Sequence, residues 1–91
     1  MDKDIEYALI SCIELVVMRK NGDSYHLIQA KLGSLYDCKI ADCADHPEFL
    51  RQVMKEVYKE RYDSIIEEIK AQLGDLIEKK EISDFFKIMQ S

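Results

Sequence analysis

If the segment Asp2–Lys20 is helical, its surface is apolar around most of the circumference, and this constrains the fold more than any other feature. Its apolar residues recur every three or four positions, the spacing that puts side chains on one helix face. They are Ile5, Leu9, Cys12, Ile13, Val16 and Val17, and the face is widened by Ala8, Ile10, Leu15 and Met18. Such a helix lies either at the centre of the fold or against a second copy of itself, and central burial is the favoured interpretation.

The charges at the two ends of this segment also favour a helix. Asp2 and Asp4 stand near its N-terminus, and Arg19 and Lys20 stand near its C-terminus. The helix dipole stabilises an acidic group at the first end and a basic group at the second. Asn21-Gly22 then predicts the C-terminal stop.

A shorter second helix is predicted to open at Asp23 or Ser24 and to close at Gly33. Serine and aspartate are good N-terminal caps, and glycine commonly follows the last turn of a helix. Residues 34–45 are too few for two helices and do not alternate in polarity. We interpret them as a compact loop with room for one helical turn.

The sequence Asp45-His46-Pro47-Glu48 predicts the start of a third helix, with Asp45 capping the N–H of Glu48 and Glu48 reaching back. Its apolar register continues to Ile77, which alone would indicate one helix of about thirty residues. We favour a break within Lys59–Asp63, because globular helices typically run about 8–20 residues; a continuous helix is the alternative.

Two further expectations concern the end of the chain. Gly74 weakens a helix without by itself ending it. Ser83 or Asp84 is predicted to start a short terminal helix that carries Phe85, Phe86, Ile88 and Met89.

The composition fits one folded domain. The chain has 91 residues, of which 47% are hydrophobic and 34% charged, and it contains no glycine- or proline-rich linker. Two separate cores in so short a chain would each bury little surface. We therefore predict a single domain over residues 1–91, with an all-α fold that forms a compact bundle of four to five helices.

Charge and cysteine content restrict the partners and the compartment. The net charge is −5 and the basic residues are dispersed, which disfavours nucleic acid as a partner. Polar residues interrupt the apolar segment Ile5–Met18, which is shorter than the roughly 20 residues that span a bilayer, so no membrane association is expected. An odd number of cysteines and the lack of a signal-peptide pattern favour a cytoplasmic protein.

Two short motifs, Tyr25-His26-Leu27 and His46-Pro47-Glu48-Phe49-Leu50 with the later Val57-Tyr58, carry a resemblance. They resemble a family of small uncharacterised archaeal helical domains, some of which are output domains of signalling proteins in ammonia-oxidising archaea. The similarity covers about residues 23–76. It implies an all-helical fold and use in signalling or protein interaction, with no active site to transfer. The chain departs from the family pattern at Lys59 and Arg61, near which glycines are expected.

The most suggestive chemical cluster is the segment from Asp37 to His46. Cys38, Cys43 and His46 follow a Cys-x4-Cys-x2-His spacing, and thiolate and imidazole are ligands that zinc prefers. A structural zinc site usually has four ligands, so a fourth would come from Cys12, His26 or an aspartate. The alternative is that both cysteines are small buried apolar residues and that His46 only fills the helix start. A Cys38–Cys43 disulfide requires facing β-carbons, and a reducing cytoplasm disfavours it.

No arrangement of residues indicates catalysis. The sequence contains no phosphate-binding loop, and neither His26 nor His46 stands in a known nucleophile motif with a cysteine. We predict a protein that is not an enzyme and needs no cofactor. Its leading function is a noncatalytic protein-interaction or regulatory module that forms a homodimer, because the first and last helices carry more apolar residues than one small core needs. The alternative is a small zinc-binding or redox protein that uses the Cys38–His46 loop.

Overall fold

The computed structural model describes residues 2–91, so Met1 of the predicted 1–91 domain lies outside the described residues. The all-α prediction is confirmed, and the described residues contain no strand. The five α-helices are α1 (Lys3–Lys20), α2 (Gly22–Tyr36), α3 (Pro47–Tyr58), α4 (Tyr62–Leu73) and α5 (Lys80–Met89). Three short 3₁₀ helices connect them, at Ile40–Ala44, Lys59–Arg61 and Gly74–Glu78.

Helix α1 begins where the acidic residues predict. The Asp2 carboxylate accepts hydrogen bonds from the backbone N–H groups of Asp4, at 2.8 Å, and Ile5, at 3.4 Å. One face of α1 packs against α2, α4 and the first 3₁₀ helix. That face buries Leu9, Ile10, Ile13, Val16 and Val17. The favoured central position is therefore correct for this inner face, while the opposite face stays in solvent.

The boundaries of α2 differ from the prediction at both ends. Asn21, rather than Asp23 or Ser24, is the N-cap, because its side-chain oxygen accepts from the N–H of Asp23 at 2.9 Å. The helix also continues past Gly33, which stays helical, and ends at Tyr36. Asp37 takes the left-handed conformation with φ 53° and terminates it, a position where aspartate is tolerated better than most residues.

The predicted capping box at the start of α3 is wrong. Asp45 belongs to the end of the preceding 3₁₀ helix, so its carboxylate does not cap α3. His46 is the residue before the first helical turn and makes no side-chain cap. Pro47 occupies the first helical position, as expected, since a missing N–H costs nothing there.

The break between α3 and α4 is confirmed within the predicted Lys59–Asp63 segment. Lys59 has φ 54° and ψ −122°, a backbone conformation that mainly glycine adopts, and the chain then makes one 3₁₀ turn to Arg61. α4 starts at Tyr62. The continuous helix is therefore excluded.

The expectation for Gly74 is wrong. Gly74 has φ 60° and ends α4, because it uses a conformation that is open to glycine and closed to most other residues. A 3₁₀ turn follows, and α5 begins at Lys80, three residues before the predicted start at Ser83. Ser83 lies inside the helix and its N–H donates to the Lys79 carbonyl at 2.8 Å.

Helices from both ends of the chain contribute to one core. α3 packs against α2 and α5, and α1 packs against α2 and α4. The hydroxyl of buried Tyr62 donates to the Met89 carbonyl at 2.7 Å, and the Arg51 guanidinium donates to the Ser91 carbonyl at 2.7 Å. These bonds hold α5 in place while its side chains Ile82, Phe85, Phe86 and Met89 fill the core. No helix within residues 2–91 has the length and apolar character needed to cross a membrane.

We expect Lys59→Gly to raise the free energy of unfolding by about 1 kcal/mol. A non-glycine residue with the φ and ψ angles of Lys59 costs about 1–3 kcal/mol in backbone strain. Urea denaturation followed by circular dichroism measures the change. The control is Ala71→Gly, an exposed position inside α4, which should lower stability by about 1 kcal/mol. Equal losses in the two variants would contradict a strained backbone at Lys59.

Candidate functional site

The loop that sequence analysis singles out lies between the end of α2 and the start of α3. Residues 37–39 are the turn, and Ile40–Ala44 form the 3₁₀ helix. The Asp42 carboxylate accepts from the N–H of Lys39 at 3.0 Å, and the Gln29 side-chain oxygen accepts from the N–H of Ile40 at 3.0 Å. These two bonds satisfy backbone donors that the short 3₁₀ helix leaves free.

Gln29 connects this loop to α1 through a chain of polar side chains. Its amide nitrogen donates to the Tyr25 hydroxyl at 3.1 Å, and that hydroxyl donates to the Glu14 carboxylate at 2.9 Å. The chain therefore runs from Glu14 on α1, through two residues of α2, to the backbone of Ile40. The chain is partly buried, so water only partly replaces a lost hydrogen bond. Loss of one member therefore leaves the others without partners. Sequence reasoning missed this network, since no local motif connects residues eleven positions apart.

Cys38 and Cys43 differ in their burial within the folded loop. Cys43 is fully buried and its sulfur donates to the Lys39 carbonyl at 3.4 Å, whereas Cys38 is half-buried. Burial, followed by the effects of Cys38, Asp42 and Glu48, raises the pKa of the Cys43 thiol. The interpretation of Cys43 as a small core residue is confirmed by its burial.

His46 lies at the surface and takes part in an aromatic stack. Its ring stacks on Phe49 with centroids 4.8 Å apart, and Phe49 stacks on Tyr36 at 4.2 Å. The His46 Nδ1 atom lies 3.5 Å from a Glu48 carboxylate oxygen. Phe49 thus connects the start of α3 to Tyr36 at the end of α2, and His46 packs on Phe49 at the start of α3.

The structure bears on the zinc hypothesis through these positions. Across residues 2–91 there is no group of three or more histidine, cysteine, aspartate and glutamate side chains that could hold a metal ion. The His46 ring stacks on Phe49. Zinc binding by Cys38, Cys43 and His46 remains a prediction from the sequence.

Two surface grooves meet at the loop. The first, about 570 Å³, is lined by His26 and Lys39 among others, and the second, about 410 Å³, by Glu6 and His46 among others. Cys38 lines both grooves, together with Asp37 and Asp42. Cys38 is therefore the cysteine of this loop that borders the two grooves.

The outer face of α1 is a second candidate site. Tyr7, Leu15 and Met18 have exposed fractions of 76%, 47% and 51%. With half-buried Ser11 they are spaced four, four and three residues apart, so they form one stripe, which we call the α1 outer stripe. A hollow of about 300 Å³ beside it is lined by Tyr7, Ile10 and Ala41, with Lys3 and Glu6.

The last helix does not share this surplus of apolar surface. Four of its large apolar side chains are buried, and Ile88 alone among those of α5 is exposed, at 41%. The expectation that both terminal helices carry spare apolar residues is therefore correct for α1 and wrong for α5. The packing of α5 onto α3 accounts for the difference.

Comparison with known proteins found no match to any family model, curated protein or solved structure at the level of significance required. The resemblance to archaeal helical domains stays a prediction. The function is therefore inferred from the residues of this chain.

We expect Gln29→Ala to lower the free energy of unfolding by about 1–2 kcal/mol, because the N–H of Ile40 and the Tyr25 hydroxyl both lose a partner. Hydrogen exchange should show faster exchange at the Ile40 amide. Gln72→Ala, at an exposed position of α4, makes the same chemical change and should alter neither quantity. Unchanged protection of Ile40 in Gln29→Ala would show that the polar chain does not hold the loop.

Proposed function

We propose that this chain is a noncatalytic protein-interaction module that self-associates as a homodimer through the α1 outer stripe. The observation that carries the proposal is the exposure of three large apolar side chains on one stripe of a helix whose other face is buried. Single exposed apolar residues are ordinary on a protein surface, but an aligned set marks an interaction site.

A second copy fits this stripe in an antiparallel arrangement. Tyr7 and Met18 are eleven residues apart, a rise of about 16 Å along a helix. A two-fold axis near Cys12 brings Tyr7 of one copy onto Met18 of the other, and the same contact forms twice. A methionine sulfur packs favourably against an aromatic ring, and the hollow beside Tyr7 has room for a flexible thioether.

The charges at the ends of the stripe favour the same arrangement. Asp4 precedes Tyr7 by three residues and Arg19 follows Leu15 by four, so both extend the stripe, and both are exposed. Antiparallel pairing places Asp4 of each copy near Arg19 of the other. Parallel pairing would instead oppose Asp4 to Asp4 and Arg19 to Arg19, which costs energy. Charge complementarity therefore selects a second copy of this chain, in one orientation.

The proposal extends to the cellular compartment of the protein and to the partners of the dimer. A regulatory role, in which the dimer presents its remaining surface to another protein, agrees with the use in signalling that the archaeal resemblance implies. Three free thiols favour the cytoplasm over an oxidising compartment. The net charge of −5 argues against nucleic acid as the partner.

A charge exchange tests the dimer and its orientation together. We expect Asp4→Lys and Arg19→Glu each to raise the dimer dissociation constant by about tenfold, because each exposed pair is worth about 0.2–1 kcal/mol, occurs twice, and becomes repulsive. The double variant should recover most of the affinity, because the pairs re-form with opposite signs. Sedimentation equilibrium over a range of concentrations measures all three proteins.

The matched control is Asp63→Lys, which reverses an exposed charge in the first turn of α4, away from the stripe. It should leave the dissociation constant unchanged. Circular dichroism checks that every variant keeps its helices. A wild-type chain that stays monomeric at all concentrations, or a double variant weaker than both single variants, would contradict the proposal.

A further inference from the structure

Given the proposed homodimer, on which this inference rests, we propose that Ala41 determines which chains pair through the α1 outer stripe. Ala41 lines the hollow of about 300 Å³ beside Tyr7. Its small side chain leaves room there for Met18 of the second copy. The dimer face therefore extends from α1 onto the first 3₁₀ helix, and the residue at position 41 sets its specificity.

The hollow lies where α1 meets the first 3₁₀ helix. α1 contributes Lys3, Glu6, Tyr7 and Ile10, and the 3₁₀ helix contributes Ala41. The four α1 positions follow the spacing of one helix face. Ile10 is 7% exposed and Tyr7 is 76% exposed, so the hollow runs from the edge of the core to open solvent. It borders the α1 outer stripe at Tyr7 and is open to a side chain from a second copy.

Ala41 has a fixed place at this hollow. The N–H of the preceding Ile40 donates to the Gln29 side-chain oxygen at 3.0 Å. Ile40 and Cys43 of the same 3₁₀ helix are fully buried, whereas Ala41 is exposed. The backbone on both sides of Ala41 is thus held, and a longer side chain at this position would fill the hollow. Because Ala41 lies outside the core, such a substitution leaves the fold intact.

Met18 of the second copy is the occupant. Antiparallel pairing brings it onto Tyr7, beside the hollow. An unbranched thioether with three rotatable bonds adapts to an irregular space, whereas a β-branched side chain is stiff. The dimer has two such hollows related by the two-fold axis, so any change at Ala41 acts twice.

The charges at the rim of the hollow agree with this occupant. Arg19 follows Met18, so antiparallel pairing places it near Glu6 of the other copy, which forms an opposite-charge pair. Lys3 comes near the C-terminal end of the second α1, where a basic group is favourable. Lys20 at that end is already paired with Glu68 of its own copy, at 2.8 Å. Charge complementarity at the hollow therefore selects the second copy of this chain.

Two complementary substitutions test the role of Ala41. We expect Ala41→Leu to raise the dimer dissociation constant by about tenfold, because the filled hollow excludes Met18 at two equivalent sites. Met18→Ala should raise it by about the same factor, because two buried side chains are truncated. An equal mixture of the two variant chains should instead form a heterodimer tighter than either homodimer. In that heterodimer the added side chain meets the space vacated by Met18→Ala, and the second hollow is as in the wild type.

Native mass spectrometry, with one variant labelled with ¹⁵N, measures the fractions of the two homodimers and the heterodimer. The heterodimer should exceed the share that random pairing gives. Sedimentation equilibrium gives the dissociation constants. The matched control is Ala71→Leu, which makes the same change at an exposed position of α4 and should alter neither quantity. If Ala41→Leu does not fold by circular dichroism, Ala41→Gln, with a polar side chain of similar length, takes its place.

The outcomes separate the dimer from the role of Ala41. A wild-type chain that stays monomeric at all concentrations contradicts both. If the wild type dimerises but Ala41→Leu leaves the dissociation constant unchanged or lowers it, Met18 does not use the hollow. Random pairing in the mixture leads to the same conclusion. In these last two cases the proposed dimer stands and the role of Ala41 is overturned.

Discussion

One face of α1 lies against α2, α4 and the first 3₁₀ helix, and the rest of the structure depends on that contact. Leu9, Ile13, Val16 and Val17 are almost fully buried there. Each such side chain is worth about 1.5–3 kcal/mol when it leaves water, so this face alone decides how α1 is placed. The helix has apolar residues on its other side as well, and the described elements leave that side uncovered. The proposed dimer follows from this imbalance.

The loop between α2 and α3 depends on the same helix in a different way. Glu14 extends from α1 to Tyr25, and Gln29 carries the hydrogen-bond chain to the backbone of Ile40. The position of the loop is thereby coupled to α1.

The fold class and the main helices were predictable because they depend on patterns local in sequence. Asp2 caps the residues that follow it, and the apolar spacing of α1 and α3 identifies their buried faces. The break after Tyr58 was predicted from typical helix length. The structure gives its physical form, a lysine with positive φ at Lys59.

The errors fall at residues that permit more than one local conformation. Gly33 and Gly74 are the same residue type, yet the first continues a helix and the second, at φ 60°, ends one. Asp45 and Asn21 are both good caps, and only Asn21 is used as one. At the candidate site, sequence spacing groups Cys38, Cys43 and His46, but it could not show that Cys43 is buried in the core while His46 stacks on Phe49.

The central claim is that α1 pairs with α1 of a second copy in antiparallel orientation. Isotope-filtered NMR on a mixture of ¹³C-labelled and unlabelled protein tests it most directly, because it detects only contacts between copies. The account predicts cross-peaks between the ring protons of Tyr7 in one copy and the ε-methyl of Met18 in the other. Contacts of Tyr7 with Tyr7, or no contact between copies at millimolar concentration, would contradict it.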